Sequence, residues 1–161
     1  MRQFDRQRDP DVAILLDLWL PNRPLPEHLE NVELAVSFAA TVVADTCRKA
    51  SGNLLVQTTA GGPGVRGPAS PGLIESAMET LAVAEAAPED RLADLLSSAL
   101  AAIEPGTEVI LVSSRAVDLS DRGRFAKLWD DPARRALARA VRVISAADEA
   151  LGEYFQVAVG S

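Results

Sequence analysis

Apolar residues along this chain fall into two patterns, short unbroken runs and longer stretches spaced three and four apart. Val12 to Leu18 is nearly continuous, the signature of a strand covered on both faces. Pro21, Pro24 and Pro26 predict a loop after it, and a long helix follows over residues 30–50. Its core stripe is Val32, Ala35, Val36, Ala39 and Val43, widened by Phe38 and Val42, so this helix is predicted to be largely buried. Asn53 to Ala60 predicts a second strand. The Gly/Pro-rich segment 61–72 predicts a loop, with a short edge strand near Val65.

A helix is predicted over Leu73 to Ala86, and Pro88 starts another, with Leu92, Leu95, Leu96, Ala99 and Ile103 at helical spacing. Pro105-Gly106 ends it, and Glu108 to Ser114 is the third strong strand. Asp118 or Ser120 is expected to cap a helix whose apolar face is Phe125, Leu128 and Trp129, and Asp131-Pro132 restarts a helical turn. β-Branched residues favour a strand over Val141 to Ser145 rather than a continued helix. Ser145 and Asp148 then form a capping box for a closing helix, DEALGEYF. The alternation predicts an α/β fold with a mainly parallel sheet and helices on both faces, Rossmann-like in class.

A chain of 161 residues supports one domain, residues 1–161, and 48% hydrophobic content with 24% charged is globular. Sixteen basic against twenty-three acidic residues leave a net charge of −7, which argues against nucleic acid or an anionic membrane as partner. One cysteine, Cys47, excludes an intramolecular disulfide. With a single histidine, His28, a His/Cys zinc site is excluded too. Cys47 reads as a small core residue of its helix despite Arg48 and Lys49 beside it. No apolar run approaches the ~20 residues that span a bilayer, and the first eleven residues lack a signal-peptide core, so the chain as given is expected to be soluble.

Two stretches, RQFDRQRDPDVAILLDLW (Arg2 to Trp19) and ENVELAVSFAATVVAD (Glu30 to Asp45), carry a family resemblance. It continues through GPASPGLIESAMETLA, VILVSSRAVDLSD and DEALGEYFQV. On these motifs the chain resembles the carboxyl-terminal, von Willebrand factor A-like part of the bacterial domain of unknown function family fifty-eight. The resemblance implies a fragment of a longer parent anchored in the bacterial cytoplasmic membrane, often encoded beside MoxR-type AAA ATPases, one of which is an expected protein partner.

Such domains often hold Mg²⁺ through a DxSxS motif after the first strand, a Thr from a later loop and an Asp after the fourth strand. Here the first motif reads Asp17-Leu18-Trp19-Leu20-Pro21, the second loop offers Ser70, and the later strand ends in Ser113-Ser114. A small hard cation needs several oxygen ligands, so a degenerate site is expected, with Asp17 as the one carboxylate left and no cofactor. Asp17 is expected instead to accept hydrogen bonds from loop amides or from Ser113 and Ser114.

The predicted function is therefore a non-enzymatic interaction or scaffold module. Its binding edge is formed by Asp17, Trp19, Thr59, Ser113 and Ser114. One alternative keeps Mg²⁺ at Asp17, gripping an acidic side chain of the partner. Another is a small serine hydrolase in which His28 activates Ser113 or Ser114, although no GxSxG elbow surrounds either serine. GGPGVRG has no following Lys-Ser/Thr and reads poorly as a phosphate cradle. Arg135, Arg139 and Arg142 would form a basic strip if one helix held them all, and an exposed aromatic among Trp19, Trp129, Tyr154 and Phe155 would mark a contact site.

Overall fold

A computed structural model describes residues 11–49 and 52–147. The sheet is built on β1 (Val12–Asp17), all six of whose residues are buried. β1 pairs in parallel with β2 (Asn53–Thr58) on one side and with β4 (Glu108–Ser113) on the other. β3 (Val65–Pro68) runs antiparallel to β2, β5 (Arg142–Ser145) pairs in parallel with β4, and the strand order is β3-β2-β1-β4-β5. The expected α/β class and mainly parallel sheet are present, with an antiparallel edge strand close to where Val65 suggested one.

Alternation along β1 sends its side chains to opposite faces. Val12, Ile14 and Leu16 meet α1 (Pro26–Lys49) and α2 (Pro71–Val83) through Ala35, Phe38, Ala39, Val43, Ala77 and Leu81. Ala13 and Leu15 meet α3 (Leu92–Ala102) and the helical turns α4 (Ala126–Asp130) and α5 (Pro132–Ala140), through Leu92, Leu96, Phe125, Leu128 and Ala138. Both faces are thus covered, as an unbroken apolar strand requires. Burial at about 25 cal/mol per Å² of apolar surface makes these two layers the main stabilising term.

Several boundaries differ from expectation for local reasons. α1 begins at Pro26, four residues earlier, because proline suits the first helical position and the Nδ1 of His28 accepts the Leu25 amide at 2.9 Å, the returning half of a capping box. Its outer face is less buried than expected, with Glu33, Ser37 and Thr41 in solvent. α2 begins at Pro71, capped by Ser70, which accepts the Leu73 amide at 3.2 Å.

Pro88 does not start α3, because Ala87 and Pro88 are held by the chain that leaves β1. Ala87 bridges Trp19 in parallel, its carbonyl accepts the Leu20 amide, and the Pro88 carbonyl accepts the Trp19 indole N–H. Neither Asp118 nor Ser120 caps the next helix. Asp118 and Asp121 close two successive turns, and α4 starts only at Ala126. The basic strip is divided, since α5 ends at Ala140 and Arg142 lies in β5. The predicted closing helix falls outside the described residues.

Gly64 makes the β2–β3 turn possible. Its φ is +70°, and a Cβ there would stand 2.5 Å from the Val56 carbonyl oxygen. Among the described residues, no helix is long and apolar enough to cross a membrane.

Candidate functional site

β1 lies where the strand order reverses, with β2 on one side and β4 on the other. In open parallel sheets the crevice beyond the carboxyl ends of the strands at such a switch point is the usual ligand position. Parallel register sets Asp17 directly opposite Ser113 there. The five residues expected at the binding edge all come to it. Thr59 Oγ1 accepts the Leu18 amide at 2.9 Å, and Ser114 Oγ both accepts the Trp19 amide and donates to the Trp19 carbonyl, each at 2.9 Å. These bonds fasten the loops after β2 and β4 to the chain leaving β1.

Asp17 is 1% exposed, and a carboxylate so buried requires donors around it. Ser113 Oγ donates to its Oδ2 at 2.7 Å, and Arg115 Nε donates to the same oxygen at 2.9 Å. Arg115 Nη2 donates to Asp90 at 2.7 Å, and Arg124 Nη2 reaches Asp90 at 3.0 Å. The result is a chain of alternating charge from Asp17 through Arg115 and Asp90 to Arg124. It ties β1 to the loop after β4 and to the start of α3. The Arg115 guanidinium also lies over the Trp19 ring, 5.1 Å from its centroid, which adds a cation–π contact.

Burial acts to raise the Asp90 carboxyl, but hydrogen bonds from Arg115, Arg124 and the Leu92 amide outweigh it and hold it below the usual carboxylate value. For Arg115, burial acts to lower the guanidinium, and Asp17 with Asp90 reverse the effect. Burial pushes the Cys47 thiol up, away from the reactive thiolate.

This donor set does not fit Mg²⁺. Asp17 Oδ2 is committed to Ser113 and Arg115, Leu18 is buried in the core, and Trp19 directs its indole N–H to Pro88. Ser70 is occupied as the cap of α2. No group of three or more His, Cys, Asp or Glu side chains that could hold a metal ion occurs among the described residues.

A cleft of about 290 Å³ opens beside the cluster, lined by Trp19, Glu27, His28, Asn31, Ser114 and Arg115 among others. His28 and Ser114 share this cleft, yet their side-chain hydrogen bonds run elsewhere, from the Leu25 amide and to the Trp19 carbonyl. Trp129 is half-buried, its indole N–H bound to the Leu119 carbonyl at 2.8 Å. Tyr154 and Phe155 lie outside the described residues.

Sequence reasoning missed Arg115, Asp90 and Arg124. The available signal was a basic residue directly after a buried strand, two positions beyond Ser113.

An α/β domain with a salt-bridged carboxylate at its switch point is as far as fold and site define the class. Compared with protein-family models, curated proteins and solved structures, the chain has no match.

Proposed function

We propose that this domain is a non-enzymatic protein-interaction or scaffold module, von Willebrand factor A-like, in which the metal position has been given over to an arginine. The observation that carries the reading is the Arg115 guanidinium on Asp17, a positive charge supplied by the chain itself at the switch point. Strand order and the antiparallel edge strand are compatible with that fold family. By the motif resemblance, the parent is a bacterial membrane-associated protein and a MoxR-type ATPase is a partner to test.

The hydrolase reading draws support from His28 and Ser114 lining one cleft. Against it, Ser114 Oγ is engaged by the Trp19 backbone in both directions and Ser113 Oγ donates to Asp17, so neither hydroxyl is poised toward His28.

Thermal unfolding with Mg²⁺ or Mn²⁺ against chelator, in wild type and Asp17→Ala, tests the reading. The expected result is no cation-dependent shift in wild type. A cation at one hundred times its dissociation constant adds about 2.7 kcal/mol, several degrees for this size, so a shift abolished by Asp17→Ala would overturn it.

A further inference from the structure

Half of the basic side chains of this acidic chain sit in one stretch. Residues 115–142 hold eight of its sixteen Lys and Arg but only four of its twenty-three Asp and Glu, so the stretch is basic on a chain at −7. Arg115 and Arg124 are paired with Asp17 and Asp90, and Arg134 with Asp131. Arg122, Arg135 and Arg139 form no ion pair with any described carboxylate.

Folding brings these three arginines to one ring. The indole N–H of Trp129 is fixed on the Leu119 carbonyl, and the guanidiniums of Arg122 and Arg139 lie over its ring at 5.1 and 5.9 Å from the centroid. Arg135 Nε donates to the Trp129 carbonyl at 2.9 Å. Arg122 precedes α4 whereas Arg135 and Arg139 belong to α5, so the cluster regroups part of the divided basic strip around a residue of another element. Arg122 and Arg139 are exposed, and neither donates a hydrogen bond to a described residue.

The carboxylates of the same stretch are mostly engaged. Asp118 accepts from Ser120, Asp121 accepts the Gly123 and Arg124 amides, and Asp131 caps α5 and reaches Arg134. Asp130, exposed at the end of α4, has no such partner. One free carboxylate does not balance three arginines gathered at Trp129.

A guanidinium held over an aromatic face keeps its planar fork of N–H donors for a carboxylate. Nucleic acid would extend past the cluster onto the rest of the chain, which carries nineteen Asp and Glu against eight Lys and Arg. A second copy meeting this face with its own would set arginine against arginine, and meeting it with an acidic face would make a head-to-tail contact that does not close into a pair. We propose that the cluster of Arg122, Trp129, Arg135 and Arg139 docks a short acidic segment of a partner protein, its Asp or Glu side chains held by the guanidiniums. This rests on the interaction-module reading but not on the state of Asp17, so the cation titration and the docking test fail independently.

The test is fluorescence anisotropy of a labelled twelve-residue Asp/Glu peptide titrated with the full chain, with a twelve-nucleotide oligothymidylate as control. Saturable binding of the peptide is expected, weakened about tenfold by Arg122→Ala/Arg139→Ala and by raised salt. Arg48→Ala/Arg66→Ala removes the same charge from α1 and β3 and should leave binding unchanged. All four positions are exposed, so circular dichroism should show the variants folded. No saturable binding, equal binding of the oligothymidylate, or equal loss in the two double variants would overturn the proposal. Self-association in sedimentation that Arg122→Ala/Arg139→Ala abolishes would also overturn it, assigning the cluster to a second copy.

Discussion

Arg115 bridges two carboxylates at the carboxyl end of the sheet. It is 16% exposed and contacts Asp17, Asp90 and the Trp19 ring. Truncating one member of a buried pair leaves the other charge without compensation, which costs about 3 kcal/mol or more. Arg115→Ala should therefore lower stability by about that amount in urea unfolding. Asp17→Asn added to Arg115→Ala should recover part of the loss, because a neutral amide is cheaper to bury than a lone carboxylate. Strict additivity of the two changes would mean that the pair is not coupled. Asp90 predicts a pH dependence. Its carboxyl is held below its ordinary 3.8 in the folded chain, so its contribution is complete above about pH 4 and is lost as pH falls through the folded value. The stability gap between wild type and Asp90→Asn should narrow on acidification from about pH 6 to about pH 2, and a constant gap would contradict the assignment.

Elements here are bounded by single side chains. His28 closes the first turn of α1 by accepting the Leu25 amide, so His28→Ala should destabilise by about 1 kcal/mol while leaving the fold intact. Gly64 holds a positive φ with the Val56 carbonyl in the way of any Cβ. Gly64→Ala should cost more than about 1 kcal/mol, with amide exchange accelerating first in the β2–β3 turn. Both boundaries were only partly legible in the sequence. Pro26 and His28 are visible as residues, but a histidine returning to an N-cap amide is not a pattern that helix signals score. The Pro88 start failed for a different reason: its carbonyl and that of Ala87 are engaged by Trp19 and Leu20, some seventy positions away in the chain.

Across the whole molecule, β1 is the hub, flanked by β2 and β4 and packed on both faces. Hydrogen exchange should therefore be slowest at Ala13 to Leu16 and faster by orders of magnitude in β3, a four-residue edge strand. Equal protection in the two strands would imply a different hub.

Hydrophobic periodicity by itself determined which stretches become β1, β2, β4 and the helices that cover them, though not where each begins and ends, since a strand buried on both faces must be apolar throughout and a covered helix must carry a stripe. It also located Asp17, Ser113 and Ser114 at strand ends, and Thr59 near the end of the second strand. Only tertiary structure decided what those residues do. The Asp17–Ser113 pairing depends on the register of β1 against β4, which adjoin only because the chain passes from β2 and β3 to the other side of β1. Arg115 reaches Asp17 and Asp90 across 98 and 25 positions of chain. A charge pair made by such long-range contacts leaves no periodic trace, because its partners are chosen by where the strands end in space rather than by their spacing in sequence.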